Sequence, residues 1–129
     1  MSEVVLDASA LLAMIKGERG AAKVAGVIAG ARISAVNYAE VISHFIHAGM
    51  PERGIDAMLD PLPIAVVPVD KALAQLAGRL RAVTAEAGLS LGDRVCLALA
   101  LRDGLPAWTS DLAWKKVAGA ADVKVVAIR

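Results

Sequence analysis

Short apolar segments alternate with helical segments along the chain, and this alternation is the feature that most constrains the fold. The apolar segments, each short enough to form one strand, cover residues 4–6, 32–34, 64–69, 107–109 and 123–128. Strands that alternate with helices are typical of βαβ units, in which each crossover returns the chain to the same edge of a parallel sheet. We therefore predict an α/β fold with a central parallel five-stranded sheet, built as a single domain over residues 1–129.

Capping and stop signals set the bounds of the predicted helices. A polar side chain that can accept a hydrogen bond from the first turn marks a start, and glycine or proline marks an end. Asp70 is interpreted as a plain cap, and a helix to about residue 48 is capped by Ser34 or Asn37. The other predicted helices cover residues 8–16, 20–29, 51–59, 70–87, 92–102 and 112–117.

The composition limits the class of protein. Hydrophobic residues make up 57% of the chain, above the usual value of about 45–50%, and the mean hydropathy is +0.60, so we expect apolar surface to contact another protein chain. No run approaches the roughly 18 consecutive apolar residues of a membrane span, so no membrane association is predicted. The chain starts without the basic segment of a secretion signal, and the single cysteine, Cys96, excludes an internal disulfide. These features predict a cytoplasmic protein.

The charge and the aromatic content argue against general nucleic-acid binding. The net charge is +1, and aromatic residues make up 3% of the chain. A protein that coats nucleic acid carries a strongly basic face, and a base-stacking platform needs repeated aromatic side chains. An enzyme that needs only a local basic rim remains compatible with this composition.

Four carboxylates lie at junctions between predicted strands and helices. Asp7 directly follows the first strand, and Glu40 lies one turn into the helix after the second. Asp93 opens the helix that precedes the fourth strand, and Asp111 follows that strand. In an open parallel sheet such junctions gather at the carboxyl edge, where ligands bind. We therefore expect the four carboxylates to converge.

Converging carboxylates repel one another unless a cation lies among them. Hard divalent cations that prefer oxygen ligands, Mg²⁺ or Mn²⁺, suit such a set. Ser9 and Thr109 each lie two residues from one of the carboxylates, Asp7 and Asp111, and short hydroxyl side chains can orient metal ligands. The hypothesis that follows is a metal-dependent site acting on phosphodiesters.

Each carboxylate also has an ordinary structural explanation, which the sequence leaves open. Asp7 and Asp111 stand where the N-cap of a helix would lie. Two further pairs have the spacing of a capping box, and these are Asn37 with Glu40 and Ser90 with Asp93.

Other reactive side chains are less informative. His44 and His47 lie one turn apart, but a zinc site needs a third protein ligand, and we interpret them as a solvated or partner-facing pair. Cys96 lies among apolar residues and is predicted to be buried, not a nucleophile. The motifs GxGxxG, GxxxxGK[ST] and GxSxG are absent from the sequence, which argues against nucleotide cofactors and serine hydrolase chemistry.

Three basic residues lie close in sequence to the carboxylates. Arg94 directly follows Asp93, and Lys115 and Lys116 lie one turn after Asp111. Such residues are usually solvated surface, but beside a metal site they could contact an RNA backbone. Both interpretations stay open at this point.

The segments around the four carboxylates resemble those of the PIN-domain ribonucleases, and specifically of the VapC-like toxins of type II toxin–antitoxin pairs. They occur in the family's order and spacing, and the resemblance covers essentially the full chain. The matching segments are VLDASALLA at residues 5–13, SAVNYAEV at 34–41, LSLGDRVCLALA at 89–100 and TSDLAW at 109–114.

This resemblance implies a three-layer α/β/α sandwich with strand order 3-2-1-4-5 and an endoribonuclease that depends on Mg²⁺ or Mn²⁺. It further implies an RNA substrate, a cognate antitoxin that blocks the site, and a homodimer. Leu112 stands where many members carry a basic residue, so RNA contacts would fall to Arg94, Lys115 or Lys116. The residues that the resemblance assigns to metal binding and catalysis are Asp7, Glu40, Asp93 and Asp111, with Ser9 and Thr109 as supporting hydroxyls.

Two other classes of function remain as alternatives. The first is a catalytically weak interaction module, in which the acids are caps and residues 20–30 and 48–59 dock a partner protein. The second is phosphoryl transfer, which would favour a second aspartate two residues after a nucleophilic one; residues 7–9 read Asp-Ala-Ser and do not supply it. Metal-dependent cleavage by purified, partner-free protein separates the nuclease from the interaction module.

Overall fold

The computed structural model describes residues 3–129. The strands in this range are β1 (Val4–Leu6), β2 (Ala31–Ser34), β3 (Ala65–Val67), β4 (Ala107–Thr109) and β5 (Val125–Ala127). The α-helices are α1 (Ala8–Lys16), α2 (Ala21–Ala25), α3 (Ala35–His47), α4 (Glu52–Leu59), α5 (Lys71–Arg79), α6 (Arg81–Thr84), α7 (Leu91–Asp103) and α8 (Ala118–Ala121), and the 3₁₀ segments are Ile28–Gly30, Ala85–Ala87 and Leu112–Lys116. Within residues 3–129, no helix is both long and apolar enough to cross a membrane.

The five strands form one parallel sheet in the order β3-β2-β1-β4-β5. This arrangement confirms the predicted α/β sandwich and its strand order. In the central strand β1, Leu6 pairs with Ile33 of β2 on one side and with Trp108 of β4 on the other. Because the chain order reverses at β1, a crevice is expected outside the carboxyl ends of β1 and its neighbours.

Strand β1 is buried on both faces of the sheet. Val5 belongs to an apolar cluster with residues of α5 and α7, such as Leu73 and Leu97. Leu6 packs in a cluster on the opposite face with Val24 of α2, because successive side chains of a strand point to opposite faces. Burial on both faces is typical of parallel sheets covered by helices. The end of β1, and the residue that follows it, therefore lie at the centre of the fold.

Two predicted helices were wrong in extent. The predicted helix over residues 20–29 ends early, at Gly26, and continues as a 3₁₀ turn, since glycine is a poor helix former. The predicted helix over residues 70–87 is interrupted at Leu80. Here the Thr84 hydroxyl donates a hydrogen bond of 2.9 Å to the Leu80 carbonyl, and such bonding to the carbonyl four residues earlier bends helices.

The remaining differences concern boundaries. Strands β3 and β5 are shorter than the predicted segments 64–69 and 123–128. The segment predicted as a helix over residues 112–117 is a 3₁₀ turn, and the following helix α8 was not predicted. It ends at Asp122, which has a left-handed backbone (φ 57°), a conformation that aspartate tolerates better than most residues.

Candidate metal centre

The topology brings the four predicted carboxylates to the carboxyl edge of the sheet. Asp7 follows β1, and Asp111 follows β4 by two residues, while Glu40 lies in α3, which follows β2. Asp93 lies in the first turn of α7, the helix that runs back to the start of β4. Because β2, β1 and β4 are adjacent strands, the four residues lie on neighbouring elements at one edge.

Asp7 is the buried member of the set, with 5% of its surface exposed. Its Oδ1 accepts hydrogen bonds from the Ser9 hydroxyl (2.7 Å) and the Ala10 N–H (2.8 Å), and its Oδ2 accepts one from the Thr109 hydroxyl (2.7 Å). Burial raises the pKa of Asp7 to about 6 although these three bonds lower it, and the charge of Asp93 raises it further. The carboxylate is held rigidly in a site that disfavours its charged form.

The two hydroxyls tie the end of β1 to the turn that carries Asp111. Thr109 Oγ1 donates to Asp7 and accepts a hydrogen bond from the Asp111 N–H (3.0 Å). Ser9 Oγ likewise donates to Asp7 and accepts from the Ser110 N–H (3.0 Å). Both hydroxyls therefore fix the orientation of Asp7 and the path of the backbone at Asp111.

Glu40 lies in the second turn of α3 and is not a capping residue. Ser34 caps α3 by accepting a hydrogen bond from the Asn37 N–H (3.0 Å), so the predicted capping box of Asn37 with Glu40 was wrong. The Asn37 side chain instead donates to Glu40 Oε1 (2.8 Å). Glu40 is an exposed residue and has no role in the helix end.

Asp7 is the N-cap of α1, through the bond from the Ala10 N–H, and Asp93 and Asp111 also act as caps. Asp93 forms a reciprocal capping box with Ser90, in which Asp93 Oδ2 accepts from the Ser90 N–H (2.9 Å). Asp111 Oδ1 accepts from the Ala113 N–H (2.9 Å). Each carboxylate has two oxygens with about four acceptor positions in total, so capping leaves acceptor capacity on both side chains. The structural and the metal-binding interpretations are therefore compatible at these positions.

The Cys96 thiol is a buried group beside the carboxylates on which their charges act. It is fully buried, one turn after Asp93 on α7. Burial raises its pKa well above the usual value, and the negative charges of Asp7, Asp93 and Glu40 raise the pKa further. Carboxylates from three different elements therefore act on one buried sulfur atom.

The donor set suits a hard divalent ion held partly through water. Within residues 3–129, no three His, Cys, Asp or Glu side chains are placed to ligate one ion directly. Mg²⁺, however, usually keeps several waters and uses only one or two carboxylates. None of the described groups that shift the pKa of Asp7 is a cation, so its buried charge lacks a compensating partner that a metal ion would supply.

The predicted basic residues separate into two groups. Lys115 and Lys116 are exposed on the 3₁₀ segment that begins directly after Asp111. Arg94 is buried, and its guanidinium donates to the Ala77 carbonyl near the end of α5 (3.2 Å). The structure thus contradicts an RNA contact by Arg94, because this guanidinium joins two helices inside the protein. Leu112, the position of the missing basic residue, is exposed at 61%.

The two histidines lie in the last turn of α3. His44 Nε2 lies 3.4 Å from Lys16 Nζ, and its ring packs edge-on against Phe45. His47 is exposed in the last turn of α3. Among residues 3–129, no group of three or more potential metal ligands includes them.

Two residues beside the carboxylates were not predicted from the sequence. Asn37 was predicted only as a cap, and Gly92 had no predicted role in the site. The Asn37 side chain donates to the Gly92 carbonyl (3.0 Å) as well as to Glu40. The sequence did carry a signal for Gly92, because a glycine in the first turn of a helix is unfavourable unless the space or the backbone conformation requires it.

The fold and the acidic edge together define an α/β/α protein with a candidate metal centre at the end of its central strand. The model of the PIN domain family matches residues 4–120. The chain therefore belongs to the PIN domain family. No curated protein matches this sequence closely enough to indicate a relationship.

Several solved structures share this fold over nearly their whole length. Their sequence identities to this chain lie below 25%, so they establish the fold alone. They include DNA-bound VapBC from Salmonella typhimurium (20% identity, TM-score 0.78, 100% of both chains covered), a toxin–antitoxin complex from Klebsiella pneumoniae (20%, 0.71, 98% of both) and VapBC-1 from nontypeable Haemophilus influenzae (18%, 0.71, 98% of both).

Proposed function

We propose that this protein is a metal-dependent endoribonuclease that acts as the toxin of a toxin–antitoxin pair. PIN domains are nuclease-type hydrolases. The observation that carries the proposal is geometric: Thr109 ties Asp7 to Asp111, and the Glu40 carboxylate lies against Gly92, the residue before Asp93. The proposal includes an RNA substrate and a cytoplasmic location, and the two are consistent with each other.

Asp7, Glu40, Asp93 and Asp111 would together hold one or two Mg²⁺ or Mn²⁺ ions, partly through coordinated water. When bound, such an ion polarises the phosphodiester and lowers the pKa of a coordinated water. Ser9 and Thr109 hold Asp7 with both oxygens fixed. Since the pKa of Asp7 is about 6, this carboxylate is mostly ionised at neutral pH and can bind a cation.

Mapping of new RNA ends after controlled expression tests this proposal directly. Wild-type protein should generate specific new ends and stop growth, and an Asp93→Asn protein should generate none. Asp103→Asn is a matched control, because Asp103 lies at the far end of α7 in ion pairs with Arg32 and Arg102. Identical RNA ends from wild type and Asp93→Asn would contradict the proposal.

We further propose that a cognate antitoxin and a second copy of this chain bind apolar surface. Relatives of the same fold were solved as toxin–antitoxin complexes. A groove of about 260 Å³ between α3 and α4 is lined by Ile42, Ile46, Ile55 and two acids of α4, and Ile46 is 46% exposed. Co-expression of the product of the neighbouring reading frame should restore growth and yield a stable complex.

The two exposed lysines should contribute to RNA binding. Lys115→Ala and Lys116→Ala should each weaken the binding of a non-cleaved RNA. Each should also reduce the slope of log K against log salt concentration by about 1, which corresponds to one counterion. Lys124→Ala is the control, because it removes the same charge beside β5, where the strand begins at the opposite edge of the sheet. Binding measured against salt concentration gives the slope. An equal effect of all three substitutions would mean that only the overall charge matters.

The alternative is an interaction module with the PIN fold and little catalytic activity. The groove between α3 and α4 favours it, since this groove overlaps the predicted docking segment 48–59. Purified, partner-free protein decides between the two functions. Cleavage that requires Mg²⁺ or Mn²⁺ and stops on Asp7→Asn substitution supports the nuclease, whereas tight partner binding without cleavage supports the module.

A further inference from the structure

Asn37 uses every hydrogen-bonding group of its side chain. The residue is 1% exposed. Its Oδ1 accepts from the Ser34 hydroxyl (2.6 Å), and its Nδ2 donates to both Glu40 Oε1 (2.8 Å) and the Gly92 carbonyl (3.0 Å). One buried amide thus links the N-cap of α3, a carboxylate of α3 and the first turn of α7.

The surroundings of this amide allow one orientation. Rotating it by 180° would direct Oδ1 at the Glu40 carboxylate and the Gly92 carbonyl, both of which are acceptors. Because amide orientation is assigned from the hydrogen-bond network, the two acceptors on one side and the hydroxyl on the other fix it. The contact with Gly92 is made to the peptide that immediately precedes Asp93.

Gly92 provides the space that Glu40 occupies. A Cβ atom at position 92 would lie 2.5 Å from Glu40 Oε2 and 2.7 Å from Oε1, closer than real Cβ contacts. The backbone of Gly92 is helical, without a left-handed φ. Glycine is therefore needed here for the close approach of the carboxylate, not for backbone conformation.

We propose that Asn37 and Gly92 are positioning residues that set Glu40 against Asp93 for metal binding. Asn37 fixes one oxygen of an otherwise exposed, rotamer-rich side chain and holds the peptide before Asp93 with the same amide. Gly92 leaves room for that arrangement. This inference rests on the proposed nuclease function, because it gives the contacts of Asn37 and Gly92 with Glu40 a role in holding the metal ion.

Two substitutions test this arrangement, one at Asn37 and one at Gly92. Asn37→Leu keeps the approximate volume and removes both N–H donors. Gly92→Ala leaves Asn37 intact and displaces the Glu40 carboxylate, and because alanine favours helices, it should not weaken the helix itself. Each should weaken Mn²⁺ binding, measured by calorimetry, by roughly 10–100-fold, as loss of groups that orient metal ligands typically does.

Thr84→Val is the matched control. Thr84 is 1% exposed, and its hydroxyl donates one buried hydrogen bond to the Leu80 carbonyl and not to a carboxylate. It should lower the urea midpoint of unfolding as Asn37→Leu does, while leaving Mn²⁺ affinity and cleavage unchanged. Restoration of cleavage in Asn37→Leu and Gly92→Ala by high Mn²⁺ concentration would separate a binding defect from misfolding.

Unchanged Mn²⁺ affinity in folded Gly92→Ala would overturn the inference, as would equal Mn²⁺ affinities in Asn37→Leu and Thr84→Val. If wild-type protein neither binds Mn²⁺ nor cleaves RNA, the proposed function itself fails. The contact of Asn37 with Glu40 is then tested by urea unfolding alone, in a double-mutant cycle of Asn37→Leu and Glu40→Ala. Additive changes in the urea midpoint would mean that Asn37 does not hold Glu40. Non-additive changes would mean that Asn37 does hold Glu40, but without a role in metal binding.

Discussion

Replacing Asp7 with asparagine is expected to abolish metal-dependent RNA cleavage and, at the same time, to stabilise the metal-free protein at neutral pH. The activity should fall by at least about 100-fold, because even groups that only orient metal ligands cost roughly 10–100-fold. The fold should persist, since an asparagine Oδ1 can still accept from the Ser9 hydroxyl and the Ala10 N–H. Cleavage assays and urea unfolding in a chelating buffer measure the two effects.

The stability gain follows from the raised pKa of Asp7. This pKa is about 6 in the folded protein against an ordinary value of 3.8, so the folded state binds the proton more tightly than the unfolded state does. The contribution of Asp7 to stability is therefore greatest below pH 4, falls as the pH rises from about 4 to 6, and stays lower above 6. About two pKa units correspond to about 3 kcal/mol. The neutral asparagine side chain avoids this cost, less the cost of its altered contact with Thr109, so we expect a gain of about 1–3 kcal/mol at pH 7.5 that disappears near pH 4.

Asp103→Asn provides the control of opposite sign. The hydrogen bond from Arg102 and the neighbouring Arg32 hold the pKa of Asp103 below its usual value. Its contribution to stability is present above the unfolded pKa and is lost as the pH falls, so this substitution should destabilise the protein at neutral pH, by on the order of 1 kcal/mol. Cleavage should be unchanged. If Asp7→Asn were destabilising by a similar amount at pH 7.5, the carboxylate would be a structural group instead of a strained functional one.

The sheet was predictable from sequence because its strands carry simple patterns. The segment 4–6 is apolar on both faces, as a central parallel strand must be, and Ala107–Thr109 was predicted with its observed bounds. The helices were less predictable where tertiary contacts override propensity. The alanine-rich segment 70–87 favours a continuous helix, but Thr84 bonds to the Leu80 carbonyl and the chain bends there.

The candidate site shows the same division. The positions of the carboxylates at one edge follow from the βαβ pattern and the strand order. Side-chain directions do not: Arg94 follows Asp93 in sequence, yet successive helical residues diverge by about 100°, and Arg94 points to α5 instead of the carboxylates. The role of Asn37 depends on the contact of α3 with α7, a long-range contact between residues 37 and 92 that no local spacing encodes.

Adding Mn²⁺ should raise the melting temperature, and this second large effect should depend on pH. An ion that binds only the folded state stabilises it by about 2.7 kcal/mol at 100 times its dissociation constant, which corresponds to roughly 10 °C for a domain of this size. Mn²⁺ must compete with the proton on Asp7, whose pKa is about 6. The apparent affinity should therefore be nearly constant above pH 7 and fall about tenfold for each pH unit below 6.

The variants make this titration specific to the carboxylate edge. Asp103→Asn should keep the full response to Mn²⁺, because its carboxylate lies at the other end of α7. Asp7→Asn and Asp93→Asn should lose most of it, and the Asp7→Asn protein should also lose the pH dependence between 5 and 7, since the competing proton is gone. An undiminished Mn²⁺ response in Asp7→Asn would place the ion elsewhere on the protein. A response that persists without pH dependence in the wild type would mean that the ion binds without displacing the proton of Asp7. The buried carboxylate would then have a structural role at the carboxyl edge of the sheet and no role in metal binding.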